Sequence, residues 1–192
     1  VTARWVVDEV QPHRDVNIIW QPISLLNKNQ PAEDSDYYAP VAYTHKLLRV
    51  MESIRAAEGD GPIKDVYWEF ATRIHHDGER QDSFDLAAAL AAVGVDASHA
   101  AALDDESFDE AIAAGMKVGL DLTGDDVGTP IIALDDDNGD RVALFGPVIT
   151  KVPTTEQSLA LWDAFIACAK TPGFWELKRT RTERPEFGDR PG

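Results

Sequence analysis

Three groups of side chains carry obvious chemical potential in this sequence: the run His75-His76-Asp77, the single cysteine Cys168, and the acidic run Asp135-Asp136-Asp137-Asn138-Gly139-Asp140. Each has a simpler structural reading. One cysteine cannot close an intramolecular disulfide or build a thiolate metal cluster. Cys168 also lies beside Phe165, Ile166 and Ala169, where a free thiol packs as a small hydrophobe. Adjacent residues at a helix end do not converge on one ion without further ligands, so His75, His76 and Asp77 predict no metal site; a histidine there is ordinarily a partner for the helix dipole. The acidic run superficially resembles a calcium loop, but EF-hand spacing and the closing glutamate are missing. What remains is Thr129-Pro130, set in Val127-Gly128-Thr129-Pro130-Ile131-Ile132-Ala133-Leu134. Proline is tolerated as the first residue of a strand, and only about 5–6% of X-Pro bonds are cis, so the pair alone fixes no role.

The chain that must position these residues has 192 of them, 44% hydrophobic. That is enough for one well-buried core and does not demand two domains, so a single domain over 1–192 is expected. Lys and Arg number 18 against 34 Asp and Glu, a formal charge of −16, which repels phosphate backbones and anionic lipid. No nucleic-acid or membrane partner is expected. No apolar run approaches the length that spans a bilayer, and the start lacks a basic segment followed by an apolar stretch, which predicts a soluble, cytoplasmic chain.

Hydrophobic periodicity sets the element order. Trp5, Val6, Val7 and Val10 have near-helical spacing and end at Pro12, as the tail of a helix would. Val16-Asn17-Ile18-Ile19-Trp20-Gln21 is β-branched and aromatic and predicts a short strand, followed by a polar loop from Asn27 to Asp36. Val41, Leu47, Leu48, Met51 and Ile54 share one face of a helix from Tyr38 to Ala57, stopped by Gly59-Asp60-Gly61-Pro62. A second helix spans Ile63 to His76, and Ser83 predicts the cap of a third through Val93. Acidic residues from Asp104 open a helix to about Leu122. Ile131–Leu134 and Arg141–Phe145 flank Asn138-Gly139, the strongest short-range hairpin signal. Thr154 or Thr155 caps a last helix to about Thr171-Pro172-Gly173, with Trp162, Phe165 and Ile166 inward. Trp5, Trp20, Trp68 and Trp162 read as packing residues.

Several segments in this order match a known family: Thr2-Ala3-Arg4-Trp5, Ile23-Ser24-Leu25-Leu26-Asn27, Thr72-Arg73-Ile74-His75, Asp126-Val127-Gly128-Thr129-Pro130, Leu144-Phe145-Gly146-Pro147-Val148, and the nine residues from Thr171 to Arg179. On these the chain resembles the DsbA-like thioredoxin-fold family, in the actinobacterial branch described as mycothiol-dependent nitroreductases or reductases. The resemblance implies an α/β thioredoxin-like fold with a helical insertion, here 37–100. It also implies that Thr129-Pro130 is the cis-proline loop that packs against a reactive disulfide. Substrate- and thiol-binding roles for Thr129, Pro130, Asn27, Tyr37 and His75 follow from it, with mycothiol as the thiol cofactor and no metal.

The departure from the family lies at the start. Members carry a first strand and then Cys-Pro-Trp-Cys or a close variant just before the segment matched by Thr2-Ala3-Arg4-Trp5. By that comparison about two dozen residues are absent, enough for a strand of ~5–6 residues plus the motif. The first strand would lie between Val16–Gln21 and the hairpin, so without it both are expected to present unpaired backbone groups, each costing roughly 1–3 kcal/mol if buried. The expected function is thiol-disulfide oxidoreductase or mycothiol-dependent reductase, inactive in this span because no catalytic residue is present in it, acting on a small-molecule or thiol/disulfide substrate. The alternatives are a non-catalytic binding module and a thiol-cofactor-binding isomerase or transferase relative. Oligomeric state stays open.

Overall fold

The structure is a computed structural model and describes residues 1–190. Its chain divides into two compact units, one built from Val1–Ile18 and Val118–Asp189, the other from Ile19–Lys117 with Arg190.

The second unit is helical. Helix α2 (Leu25–Asn29) leads into the long α3 (Tyr38–Glu58), α4 (Ile63–His75) and α5 (Leu86–Ala92), then a 3-10 segment (Ala97–Asp104), a 3-10 turn (Glu106–Phe108) and α6 (Asp109–Thr123), whose last six residues belong to the other unit. Val50, Ile54, Val66 and Leu90 are fully buried, with Leu47, Ile63, Phe70 and Phe84 around them; each such side chain contributes roughly 1.5–3 kcal/mol. Gly59 ends α3 at φ 78°, its N–H donating to the Arg55 carbonyl, a backbone that glycine adopts without penalty. Trp20, Tyr67 and Trp68 pack ring against ring, 5.1 to 5.9 Å apart. Three expectations need correction. The loop expected from Asn27 begins only after Asn29, because Ser24 accepts from Asn27 N and starts α2. Ser83 does not cap α5: its Oγ accepts from Arg80 N at 2.9 Å within a turn, and Asp85 caps the helix by accepting from Ala88 N at 3.0 Å. The helix expected from Asp104 starts at Asp109, because Asp105 instead accepts from Ser107 N and opens the 3-10 turn.

The first unit holds α1 (Thr2–Arg4), which continues as a π-helical segment (Trp5–Val10), the strands β1 (Ile131–Asp135) and β2 (Arg141–Phe145), and α7 (Thr155–Lys170). The strands pair antiparallel from Ile131↔Phe145 to Asp135↔Arg141. Asp136 ties the turn, its Oδ1 accepting from Asn138 N and Asp140 N. Thr154 begins α7 with a capping box to Gln157. Trp5, Val10 and Trp162 form the core here, the two indoles 5.9 Å apart. Among the described residues the sheet has these two strands and no other, so the strand expected at Val16–Gln21 does not form. Its residues have β propensity, but a strand needs a ladder, and here side chains occupy its carbonyls: Gln11 Nε2 donates to Val16 O and Arg55 Nη2 to Trp20 O. Among the described residues no helix is long and apolar enough to cross a membrane.

Candidate functional site

In the hairpin unit the candidate residues gather where β1 begins and β2 ends. The register puts Ile131 opposite Phe145, so the residues just outside the ladder, Pro130 and Gly146, are neighbours. Gly146 N donates to Pro130 O at 2.8 Å. Two cis peptide bonds flank this contact, Thr129-Pro130 and Gly146-Pro147. Gly146 sits at φ 105°, and a Cβ there would lie 3.2 Å from Val148 N, so the corner calls for glycine. The start of the chain closes the group: the buried Thr2 donates its hydroxyl to Pro147 O at 2.9 Å. Thr129 is exposed and Pro130 half-buried. The corner therefore offers a proline ring and backbone polar groups beside the first turn of α1.

In the helical unit Asn27 is exposed on α2. Two residues on, Asn29 Nδ2 donates to Tyr37 Oη at 3.0 Å, which ties α2 to the residue preceding α3. Tyr37 is 44% exposed, a large aromatic residue with its polar tip and part of its ring in solvent. His75 is the last residue of α4. Partial desolvation, aided by nearby positive charge, draws its pKa below the ordinary histidine value. The neutral imidazole, able to accept a proton, is thereby favoured. Cys168 is a free, half-buried thiol on α7. Among the described residues no cluster of three or more His, Cys, Asp or Glu side chains could hold a metal ion.

The sequence reading picked out Thr129-Pro130 but missed its counterpart Gly146-Pro147 and the Thr2 link. The signal was available: a Gly-Pro just after β2 mirrors the Thr-Pro just before β1. It also missed a buried polar network. His45 and Arg49 are 4% and 7% exposed on α3, and both bond Asp109 at the start of α6. Their i,i+4 spacing beside buried Val41 was the available hint.

The family described as Mycothiol-dependent nitroreductase Rv2466c matches residues 1–179, and the chain belongs to that family.

Proposed function

We propose that this member of the mycothiol-dependent nitroreductase family is the cis-proline-bearing body of a thiol-dependent reductase, built to face a redox cysteine pair that residues 1–192, with their single cysteine, do not hold. The observation that carries this reading is the Thr2 hydroxyl on the Pro147 carbonyl, with Gly146 N–H on Pro130 O. The start of α1 thereby adjoins the Thr129-Pro130 corner, the place where a thioredoxin-like protein keeps its cysteines. The open edges of β1 and β2 suit an added strand, because an unpaired edge is a template for another chain segment. In this reading residues 1–192 are one DsbA-like thioredoxin-fold domain interrupted by a helical insertion at 37–100, working in the cytoplasm.

The residues we assign to substrate and thiol binding are Thr129 and Pro130 of the hairpin unit and Asn27, Tyr37 and His75 of the helical unit. Mycothiol, when bound, supplies the thiol that returns an oxidised pair to its reduced state. Asn27 and Tyr37 expose an amide and a phenol, groups suited to its hydroxyl-rich sugars. Thr129 offers backbone groups to an extended substrate. His75, held as the neutral imidazole, takes the proton from an incoming thiol and leaves a thiolate beside a cation. The thiolate attacks a disulfide sulfur and expels a thiolate; a second thiol then attacks the mixed disulfide, which reduces the substrate by two electrons.

The test is direct. Produce residues 1–192 alone and again with the upstream coding segment restored, and follow mycothiol-dependent reduction of a disulfide and of a nitroarene. Activity confined to the longer protein is the expected result. Comparable activity in residues 1–192 alone sinks the proposal, as would an upstream segment without a Cys-x-x-Cys.

A further inference from the structure

Helix α2 depends for its start on one hydroxyl. Ser24 Oγ accepts from Asn27 N at 3.1 Å, and Ser24 is 1% exposed. Its own N–H points at the sulfur of Met116. The hydroxyl is in turn held by His45, whose Nδ1 lies 2.9 Å from Ser24 Oγ and whose Nε2 lies 3.1 Å from Asp109 Oδ1. Arg49 grips the same carboxylate with two bonds, Nε to Oδ1 at 2.6 Å and Nη2 to Oδ2 at 2.8 Å. Glu106 stands 3.9 Å from Arg49 on its outer side.

Donor and acceptor accounting orders every proton in this chain. The Asp109 carboxylate is an acceptor only, so His45 Nε2 carries a hydrogen and donates it. Nδ1 is then bare and accepts the Ser24 hydroxyl hydrogen. The Ser24 oxygen has a lone pair left, and the Asn27 N–H takes it. With a hydrogen on Nδ1, Ser24 would receive two donors and its own buried hydrogen would have no acceptor, an arrangement buried polar groups avoid.

We propose that His45 is a positioning residue. Oriented by Asp109 and Arg49, it turns the Ser24 hydroxyl so that its lone pair fixes Asn27. Through the Asn29–Tyr37 bond it sets Tyr37 for a thiol ligand carrying a hydroxyl-rich sugar. The ligand part of this inference rests on the assignment of Asn27 and Tyr37 to thiol binding. The proton order does not.

Three readouts on residues 1–192 test it. The first needs no substitution: nitrogen-15 spectra of the His45 ring are expected to show hydrogen on Nε2 and none on Nδ1, and the reverse overturns the proposal. The second is amide hydrogen exchange at Asn27 in two isosteres. His45→Asn keeps a polar atom near Nδ1, whereas His45→Gln keeps one near Nε2 only. Loss of one hydrogen bond from the chain predicts that His45→Gln speeds exchange about threefold to tenfold, while His45→Asn stays within about twofold of the parent. Equal exchange in parent and His45→Gln overturns the proposal. The third is calorimetric titration with mycothiol, expected to weaken about threefold to tenfold in His45→Gln and to recover in His45→Asn. Normal mycothiol affinity in a His45→Gln protein with fast Asn27 exchange overturns the ligand part. No binding to the parent, with the exchange pattern as expected, sinks the thiol-site assignment and supports the positioning of Asn27 by His45.

Discussion

The helical unit and the hairpin unit fold the same kind of sequence to different degrees of completion. Fourteen buried apolar side chains, from Tyr43 to Ala102, close the helical core, whereas Trp5, Val10, Trp162 and Phe165 are the buried apolar side chains that anchor the described part of the hairpin unit. Large apolar groups left in solvent follow the opposite order. Val118, Leu122, Phe145, Val148, Trp175 and Leu177 are exposed in the hairpin unit, against Ile19 and Tyr37 in the helical one. Helices satisfy their backbone bonds internally, so a helical unit needs only its apolar faces covered. A hairpin has two edges and two faces to satisfy, and two strands alone are marginal. The contrast teaches that the helical unit carries the stability, while the hairpin unit carries the proline corner and open edges.

The largest effect that would break this contrast comes from core truncation. Ile54→Ala, at a position 0% exposed, is expected to lose about 2–5 kcal/mol. Leu144→Ala in β2, where the side chain is half-buried, should lose less than about 1.5 kcal/mol. Urea unfolding of both variants decides it, and equal losses would mean that the hairpin unit is packed as well as the helical one.

Next in size is an alkaline transition confined to the helical core. Tyr43 packs edge-on to Phe84 at 5.9 Å, and burial, with help from the charge of Glu79, pushes its phenol up to about 12. A raised phenol favours the protonated form in the folded chain. Its contribution is therefore complete below the unfolded value near 10 and is lost as pH climbs from there to about 12, to the extent of roughly 2 kcal/mol. Denaturant midpoints measured from pH 9 to 12 should fall in the parent and stay flatter in Tyr43→Phe. A parallel fall in both would place the alkaline lability elsewhere.

The same contrast explains what the sequence disclosed. Helices α3, α4 and α7 and the hairpin were legible because their signals are local: the apolar stripe Leu47-Met51-Ile54, the Thr154 cap, Asn138-Gly139 between apolar runs. Family membership was legible from ordered short segments spread along the chain, and it is the family that matches over residues 1–179. The strand at Val16–Gln21 failed because propensity says nothing about whether a partner strand is at hand. Ser83 lost the cap to Asp85 since two good capping residues stood within three positions. The His45–Asp109 bond joins residues 64 apart in sequence, and the meeting of Gly146-Pro147 with Thr2 spans 145. No periodicity encodes such distances. They follow only from how α3 packs with the start of α6 in one unit and how α1 packs with the hairpin in the other.

An acid-side effect is smaller. The Asp109 carboxyl is held below its usual range, first by the Arg49 hydrogen bond and then by the nearby positive charge. A depressed carboxylate stabilises the fold above its unfolded value near 3.9 and loses that contribution as pH falls through the folded value. Because the Asp109 side chain is 38% exposed, solvent screens the pair, and Asp109→Asn should cost only about 1 kcal/mol at neutral pH. The measurement is the urea midpoint at pH 7 and at pH 3. The gap between parent and variant should narrow at the lower pH, and a gap that persists unchanged removes ionised Asp109 from the account of the network.

The last comparison sets two helix caps of the same kind side by side, one in each unit. Ser24 begins α2 from a site 1% exposed, while Thr154 begins α7 at the surface. Both accept the backbone N–H three residues on, Ser24 at 3.1 Å and Thr154 at 3.4 Å. Cap removal costs about 0.5–2 kcal/mol in general. At Thr154 the bond is long and water can reach the freed N–H, so Thr154→Ala belongs at the low end, about 0.5 kcal/mol. At Ser24 neither condition holds, and Ser24→Ala strands the Nδ1 of His45 as well, which puts it at about 2 kcal/mol. Thermal and urea unfolding of the two alanine variants should keep that order. A Thr154→Ala loss equal to the Ser24→Ala loss would show that α7 is as tightly bound to its surroundings as α2.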